Sequence, residues 1–238
     1  MADVFIPVKL AKVIVFLMLM AGSSVFADGM VPETTVIILN EDEGEATINV
    51  KNTDAMPALL YSSIENIPED PELLVFVTPP ITRVEPGEKQ LVRFIGQFVE
   101  PLKTQRLKRA IFEGVRPKKA AEVASVGVTI RQNLPLIVHP RGLAKNPTPW
   151  TLLEWAVVGE HLQIRNDSPY VVRLSQEIVL TPQNRRVDIG RTYVLPGEVL
   201  HRKIDTRLQG TTGVTFYPAT VYGFTVASHD APVVVQRP

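Results

Sequence analysis

Short apolar or alternating runs recur along the chain, separated by turn residues. Thr34 to Leu39 is an apolar run, and Glu45-Ala46-Thr47-Ile48-Asn49-Val50 alternates, which places Ala46, Ile48 and Val50 on one face of a strand. Asn40-Glu41-Asp42-Glu43-Gly44 between them has turn composition. Further strands are predicted at Ala58 to Ile64, Leu73 to Thr78, Gln90 to Ile95 and Leu107 to Val115. Pro79-Pro80 is placed in a connection, because proline cannot donate to a ladder. Val123 to Ile137 is a long extended stretch interrupted only by Pro135; within it Val126, Val128 and Ile130 alternate with Gly127, Thr129 and Arg131.

A Pro- and Gly-rich stretch follows, from His139-Pro140-Arg141-Gly142 to Pro147-Thr148-Pro149, and marks a domain boundary. Beyond it strands are predicted at Thr151 to Val158, His161 to Arg165, Tyr170 to Leu180, Arg191 to Leu195, Leu200 to Ile204 and Thr220 to Ala227. No long amphipathic helix is evident. Short strands at near-regular spacing in both halves indicate an all-β protein of two sandwiches, spanning 28–142 and 143–238.

Residues 1–27 have a different pattern. Lys9 and Lys12 precede the apolar run Val13 to Ala21, and Ser23-Ser24-Val25-Phe26-Ala27 supplies small residues before Asp28, as in a cleaved secretory signal peptide. The run is shorter than the roughly 20 apolar residues of a spanning helix. No membrane insertion of the mature chain is expected.

The 238 residues suit two domains of about 100 residues each, and 45% hydrophobic content is ample for two cores. Twenty prolines and fourteen glycines fit many short elements joined by turns. Lys plus Arg equals Asp plus Glu at 25 each, so no global field draws the protein to nucleic acid. Cysteine is absent, which excludes a disulfide scaffold, a thiol nucleophile and cysteine metal sites. The four histidines, His139, His161, His201 and His229, show no metal-ligand spacing, and His161 is expected at the surface. No nucleophile elbow, phosphate-binding loop or dinucleotide fingerprint occurs. Glu41/Glu43 and Asp70/Glu72 lie in hydrophilic turns and are expected to be solvated. No catalytic residues, metal or cofactor are expected, and the chain is not expected to be an enzyme.

Several segments together resemble one family. They are Ile48-Asn49-Val50-Lys51-Asn52, the block Phe76-Val77-Thr78-Pro79-Pro80-Ile81-Thr82-Arg83-Val84-Glu85-Pro86-Gly87, Gln90 to Phe94, Ile111 to Val115, and the long strand ending Leu136-Ile137-Val138-His139-Pro140. In the second half, Leu162 to Val172 contains Asn166-Asp167-Ser168-Pro169-Tyr170. In combination these resemble periplasmic PapD-like chaperones of the chaperone–usher pathway. The resemblance implies two immunoglobulin-like β-sandwich domains in a boomerang arrangement, located in the periplasm, with pilus (fimbrial) subunits and an outer-membrane usher as partners.

In that family the chaperone lends a strand to a pilin subunit that lacks its own, a form of β-augmentation called donor-strand complementation. The resemblance implies that Val126, Val128 and Ile130, with Ala124 extending the row, are the donor residues. Each buried aliphatic contributes roughly 1.5–3 kcal/mol. The same alternation would serve a strand that faces its own core, and periodicity alone does not separate the two. An apolar edge of this kind also invites self-association of the free protein.

Well-known members hold the subunit's terminal carboxylate with an Arg near the start of the first strand and a Lys late in the long strand. Thr35 and Pro135 are aligned with these places, so both cations are missing. Arg131-Gln132-Asn133-Leu134-Pro135 is more similar to the alternative or archaic branches. A carboxylate in a cleft still requires a donor, and the candidates are Arg109, Arg131 and Lys108. A structural or adhesive immunoglobulin-like pilus component is the competing function. Such a pilin would carry its alternating extension at the N-terminus, whereas here the alternating strand is interior and a second domain follows.

Overall fold

Strand alternation sorts the first part of the chain into two facing sheets. The structure, a computed structural model, describes residues 29–116, 129–204, 210–220 and 227–236. The expected leader at 1–27 lies outside the described residues, as do Ala124, Val126 and Val128. One sheet has the order β1 (Met30–Pro32), β3 (Glu45–Asn52), β7 (Lys89–Gly96), β5 (Val75–Thr78). The other has the order β2 (Ile37–Asn40), β9 (Arg131–His139), β8 (Arg106–Val115), β4 (Ala58–Asn66), β6 (Ile81–Val84). Ile48, Val50, Val92 and Phe94 from the first sheet meet Leu60, Ala110, Phe112, Leu134, Leu136 and Val138 from the second. Phe94 and Phe112 pack edge-on with ring centroids 6.2 Å apart, an arrangement that suits the ring quadrupoles.

The apolar run at Thr34 to Leu39 is only in part a strand. Residues 33–36 cross from one sheet to the other, because β1 pairs with β3 whereas β2 pairs in parallel with β9. The turn at 40–44 therefore joins the two sheets and not two neighbouring strands. Pro135 does not interrupt β9 either: it stands in register with Arg109 of β8, one residue before the point at which β2 begins to pair. A proline is tolerated there because its missing N–H faces no ladder.

The second part forms another sandwich. Its larger sheet has the order β14 (Arg185–Asp188), β13 (Glu177–Thr181), β17 (Gly213–Phe216), β19 (His229–Gln236), β10 (Glu154–Val158), β11 (His161–Asn166), β16 (Glu198–Lys203). The smaller sheet is β15 (Tyr193–Val194), β12 (Val172–Leu174), β18 (Pro218–Ala219). Trp155, Leu162, Ile164, Ile178, Leu180 and Phe216 fill the space between them. A short 3-10 turn at Pro149–Leu152 leads into β10, and no α-helix occurs among the described residues.

The strand expected at Tyr170 to Leu180 is two strands in different sheets. The chain bends at Ser175, whose N–H donates to the Tyr217 carbonyl at 2.8 Å while its hydroxyl donates to the Glu177 carbonyl at 2.6 Å. Tyr217 separates β17 from β18 in the same way, so both chains turn the sandwich corner together. The strand expected at Thr220 to Ala227 falls mostly outside the described residues, and β19 closes the sheet instead.

Candidate functional site

Along β8 the side chains alternate between the sandwich core and the outer face of the five-stranded sheet. Lys108, Ala110 and Phe112 point inward; Leu107, Arg109, Ile111, Glu113 and Val115 point outward. The outer face meets the second domain at one end. There Leu107, Ile137, Val36 and Ile67 pack with Val171 in a separate buried cluster, joined by Tyr193 and Leu195. Gln105 fastens the same end with two bonds: its N–H donates to the Pro169 carbonyl and its side-chain oxygen accepts from the Val171 N–H, both at 2.8 Å. The Gln105 amide nitrogen lies 2.9 Å from His139 Nδ1, and His139 Nε2 lies 2.9 Å from the Leu143 carbonyl. Gln105 therefore ties the second domain to the end of β9 and the segment that follows it.

Two residues beyond Leu107, Arg109 emerges at the edge of this contact. Its guanidinium donates to the Asn133 side chain at 2.5 Å and to the Asn133 carbonyl at 2.9 Å. Burial pushes its pKa down, opposed by the nearby Tyr193 and Glu65. Arg131, two residues before Asn133 on β9, is bound to Glu65. Across the junction, Glu69 of the first domain accepts from Arg191 of the second at 2.6 Å and from the Tyr193 hydroxyl at 3.0 Å, and the Arg191 guanidinium sits 4.9 Å from the centre of the Tyr193 ring. Burial raises the Tyr193 phenol, and its bond to Glu69 adds to the effect. Arg173 of β12 faces the same cleft and was not singled out by the sequence, since one arginine among Val171, Val172 and Leu174 carries no motif.

Lys108 occupies a different environment from its neighbour Arg109. It is fully buried, and its ammonium donates to the Asp70 carbonyl at 2.9 Å, the Glu72 carbonyl at 2.6 Å and the Asp70 carboxylate at 3.0 Å. Arg106 binds the same carboxylate. Burial alone would raise the Asp70 carboxyl; the hydrogen bonds from Arg106 and Lys108 outweigh it and hold the group below its ordinary value. The solvated turn expected around Asp70 is thus a buried ion cluster. Glu41 also departs from expectation: it is buried, and its two oxygens accept from the N–H groups of Leu102 at 3.1 Å and Arg141 at 2.7 Å. Acidic turn composition does not reveal which carboxylate folds back under the chain.

The edge of the sheet lies beside Arg109. β2 pairs only with Leu136–His139, so Arg131 to Pro135 of β9 are laddered to β8 alone among the described residues. Ile130, immediately before this edge, is 39% exposed. No group of three or more His, Asp or Glu side chains suited to a metal occurs among the described residues.

Residues 29–144 match the family "Pili and flagellar-assembly chaperone, PapD N-terminal domain", and residues 148–229 match "Pili assembly chaperone PapD, C-terminal domain". The chain belongs to the PapD-type pilus-assembly chaperones. The fimbrial chaperone YhcA of Escherichia coli K12 is 42% identical over 201 residues, covering 83% of this chain and 88% of that protein. The solved complex of the Salmonella enterica SafA pilin with the SafB chaperone aligns with a TM-score of 0.72 at 18% identity, over 88% of this chain and 98% of that one. The Pseudomonas aeruginosa CupB2 chaperone aligns at 0.68 and 23% identity, over 85% and 100%. The fold is therefore the two-domain immunoglobulin-like fold of these chaperones, and Arg109 and Arg173 lie where its domains meet.

Proposed function

We propose that this PapD-type chaperone binds pilus subunits in the periplasm by donor-strand complementation and delivers them to an outer-membrane usher. The open edge of β9 at Arg131 to Pro135, next to Arg109, is the observation that carries this reading. An unpaired row of backbone N–H and C=O groups is the surface on which an extended partner adds a strand. In this reading Ala124, Val126, Val128 and Ile130 supply the apolar side chains that fill the subunit's groove. Three buried aliphatics contribute roughly 5–9 kcal/mol before ordering costs.

Arg109 is the best-supported anchor for the subunit's terminal carboxylate. The Lys108 ammonium is occupied by Asp70 and two carbonyls, and Arg131 is bound to Glu65, whereas the Arg109 guanidinium donates its hydrogen bonds to the neutral Asn133 and forms no ion pair among the described residues. A charge-assisted bond there is worth roughly 1.5–3 kcal/mol. The test is periplasmic co-expression with a pilus subunit. Wild type should yield a soluble one-to-one complex, and Val128→Asp should lose the complex while the free chaperone keeps its melting temperature. A Val128→Asp protein that binds its subunit normally overturns the donor-strand reading.

A further inference from the structure

His139 ends the last strand of the first domain, and its two ring nitrogens face opposite kinds of partner. Nε2 lies 2.9 Å from the Leu143 carbonyl, which can only accept, so Nε2 carries the ring proton. Nδ1 lies 2.9 Å from the Gln105 amide nitrogen, which can only donate, so Nδ1 accepts. That amide is oriented from its other side, because its oxygen accepts from the Val171 N–H of the second domain at 2.8 Å. The series Val171, Gln105, His139, Leu143 therefore donates in one direction throughout and is complete only with a neutral imidazole. Its two side chains are buried, Gln105 at 4% exposure and His139 at 8%.

A second proton on the ring has to sit on Nδ1, where it points at the Gln105 NH2 group. Turning the amide over would offer the ring an oxygen, yet would set the NH2 group against the buried Val171 N–H. Either way one hydrogen bond of the domain junction is lost. No carboxylate among the described residues binds the ring and offsets that loss. Of the charged groups around it, Lys145 lines the same cavity and Arg141 follows two residues on. Glu41 follows Asn40, the register partner of His139, and is engaged by the N–H groups of Leu102 and Arg141. Arg106, beside Gln105, is bound to Asp70. From the second domain Tyr170 reaches this segment, and its hydroxyl donates to the Ala144 carbonyl at 2.7 Å. The cavity, of about 340 Å³, gives water a path to the ring.

We propose that His139 is a pH switch for the angle between the two domains. Neutral, it completes the tie through Gln105 to Val171; protonated, it breaks that tie and loosens the junction. In the loosened form the ring is solvated and takes up a proton freely, so acid favours loosening. The tie is whole at neutral pH and is lost as pH falls through the ordinary imidazole range, near about 6.5. Asp70 responds only below 3.8, so the junction loosens while both sandwiches are folded. The switch is independent of the donor-strand reading, and its test needs no subunit.

The chain has no cysteine, so a dye pair can be attached to the full chaperone through Lys51→Cys in the first domain and Lys203→Cys in the second, both exposed positions. Energy transfer between the dyes is read at about pH 7.5 and about pH 5.5. The ratio of loosened to docked molecules should rise by up to roughly 10-fold, the protonated-to-neutral ratio of an imidazole one unit below its ordinary value. His139→Asn, whose side-chain oxygen can accept from Gln105 but takes up no proton, should give the same ratio at both values. A wild type whose ratio does not change with pH, or a His139→Asn chain that changes as much as wild type, overturns the proposal. Should His139→Asn be loose at both values, nitrogen NMR of wild-type His139 decides. A neutral ring with its proton on Nε2 at about pH 7.5 upholds the switch, and a proton on Nδ1 overturns it.

Discussion

Asn52 and Asn166 hold equivalent positions in the two domains, each at the end of a strand and each fully buried. The Asn52 amide donates to the carbonyls of Met56 at 3.0 Å and Val84 at 2.9 Å, and its side-chain oxygen accepts from the Asp54 N–H at 3.0 Å. The Asn166 amide donates to the carbonyls of Tyr170 at 2.8 Å and Val194 at 3.1 Å, and its oxygen accepts from the Ser168 N–H at 3.2 Å. Val84 and Val194 each open a Val-x-Pro-Gly-Glu turn in which the glycine has positive φ, 78° at Gly87 and 70° at Gly197. The turn glycine closes the motif by donating to the backbone carbonyl of its own asparagine, at 2.8 Å for Gly87 and 2.7 Å for Gly197. Each domain thus uses one buried amide to join a strand end, its following turn and a distant proline–glycine turn.

Replacing Asn52 or Asn166 by Ala should therefore destabilise its own domain. Two carbonyls at Asn52 and three at Asn166, the third that of Leu195 at 3.1 Å, lose a donor, and one N–H at each site loses its acceptor, at about 1–3 kcal/mol per unsatisfied group. A loss of at least about 2 kcal/mol in urea unfolding is expected for each variant. Equal stability of Asn52→Ala and wild type would show that water satisfies these groups.

Asp70 should make the first domain sensitive to acid. Its folded value lies below the ordinary 3.8, so its contribution is complete above 3.8 and is lost as pH falls through the folded value. Asp70→Asn should be less stable than wild type at neutral pH, and the difference should shrink as pH drops below 3.8. Denaturant titrations at neutral and acidic pH measure both points. A gap that stays constant or widens in acid would contradict the assignment.

Lys108→Met should act on stability and not on subunit recognition. The ammonium serves Asp70 and two carbonyls inside the sandwich. Breaking a buried pair from one side costs about 3 kcal/mol or more. The variant should unfold at lower urea concentration, yet keep the wild-type preference for a subunit with its native C-terminus.

Gln105→Leu should loosen the domain junction. The side chain accepts from the Val171 N–H and meets His139, and leucine does neither. The buried Val171 N–H is left without that partner, at about 1–3 kcal/mol. Small-angle scattering should show a broader distribution of domain orientations, with the melting of the second domain little changed. Unchanged scattering would mean that the apolar cluster around Leu107 and Val171 sets the orientation alone.

Pattern alone established the all-β class, the two-sandwich organisation and the inward rows such as Ile48 and Val50, because a strand's period of two is written directly in the spacing of its side chains. Adjacent strand positions point to opposite faces, which in the structure parts Lys108 from Arg109, but the pattern does not show which face meets the second domain. That depends on where Leu107, Ile137 and Val171 come together across a long sequence separation, and only the assembled sheets decide it. The burial of Asp70 and Glu41 and the pairing of Arg131 with Glu65 were likewise settled by tertiary structure. A charge reads as solvated in sequence until the fold supplies the neighbours that remove its water.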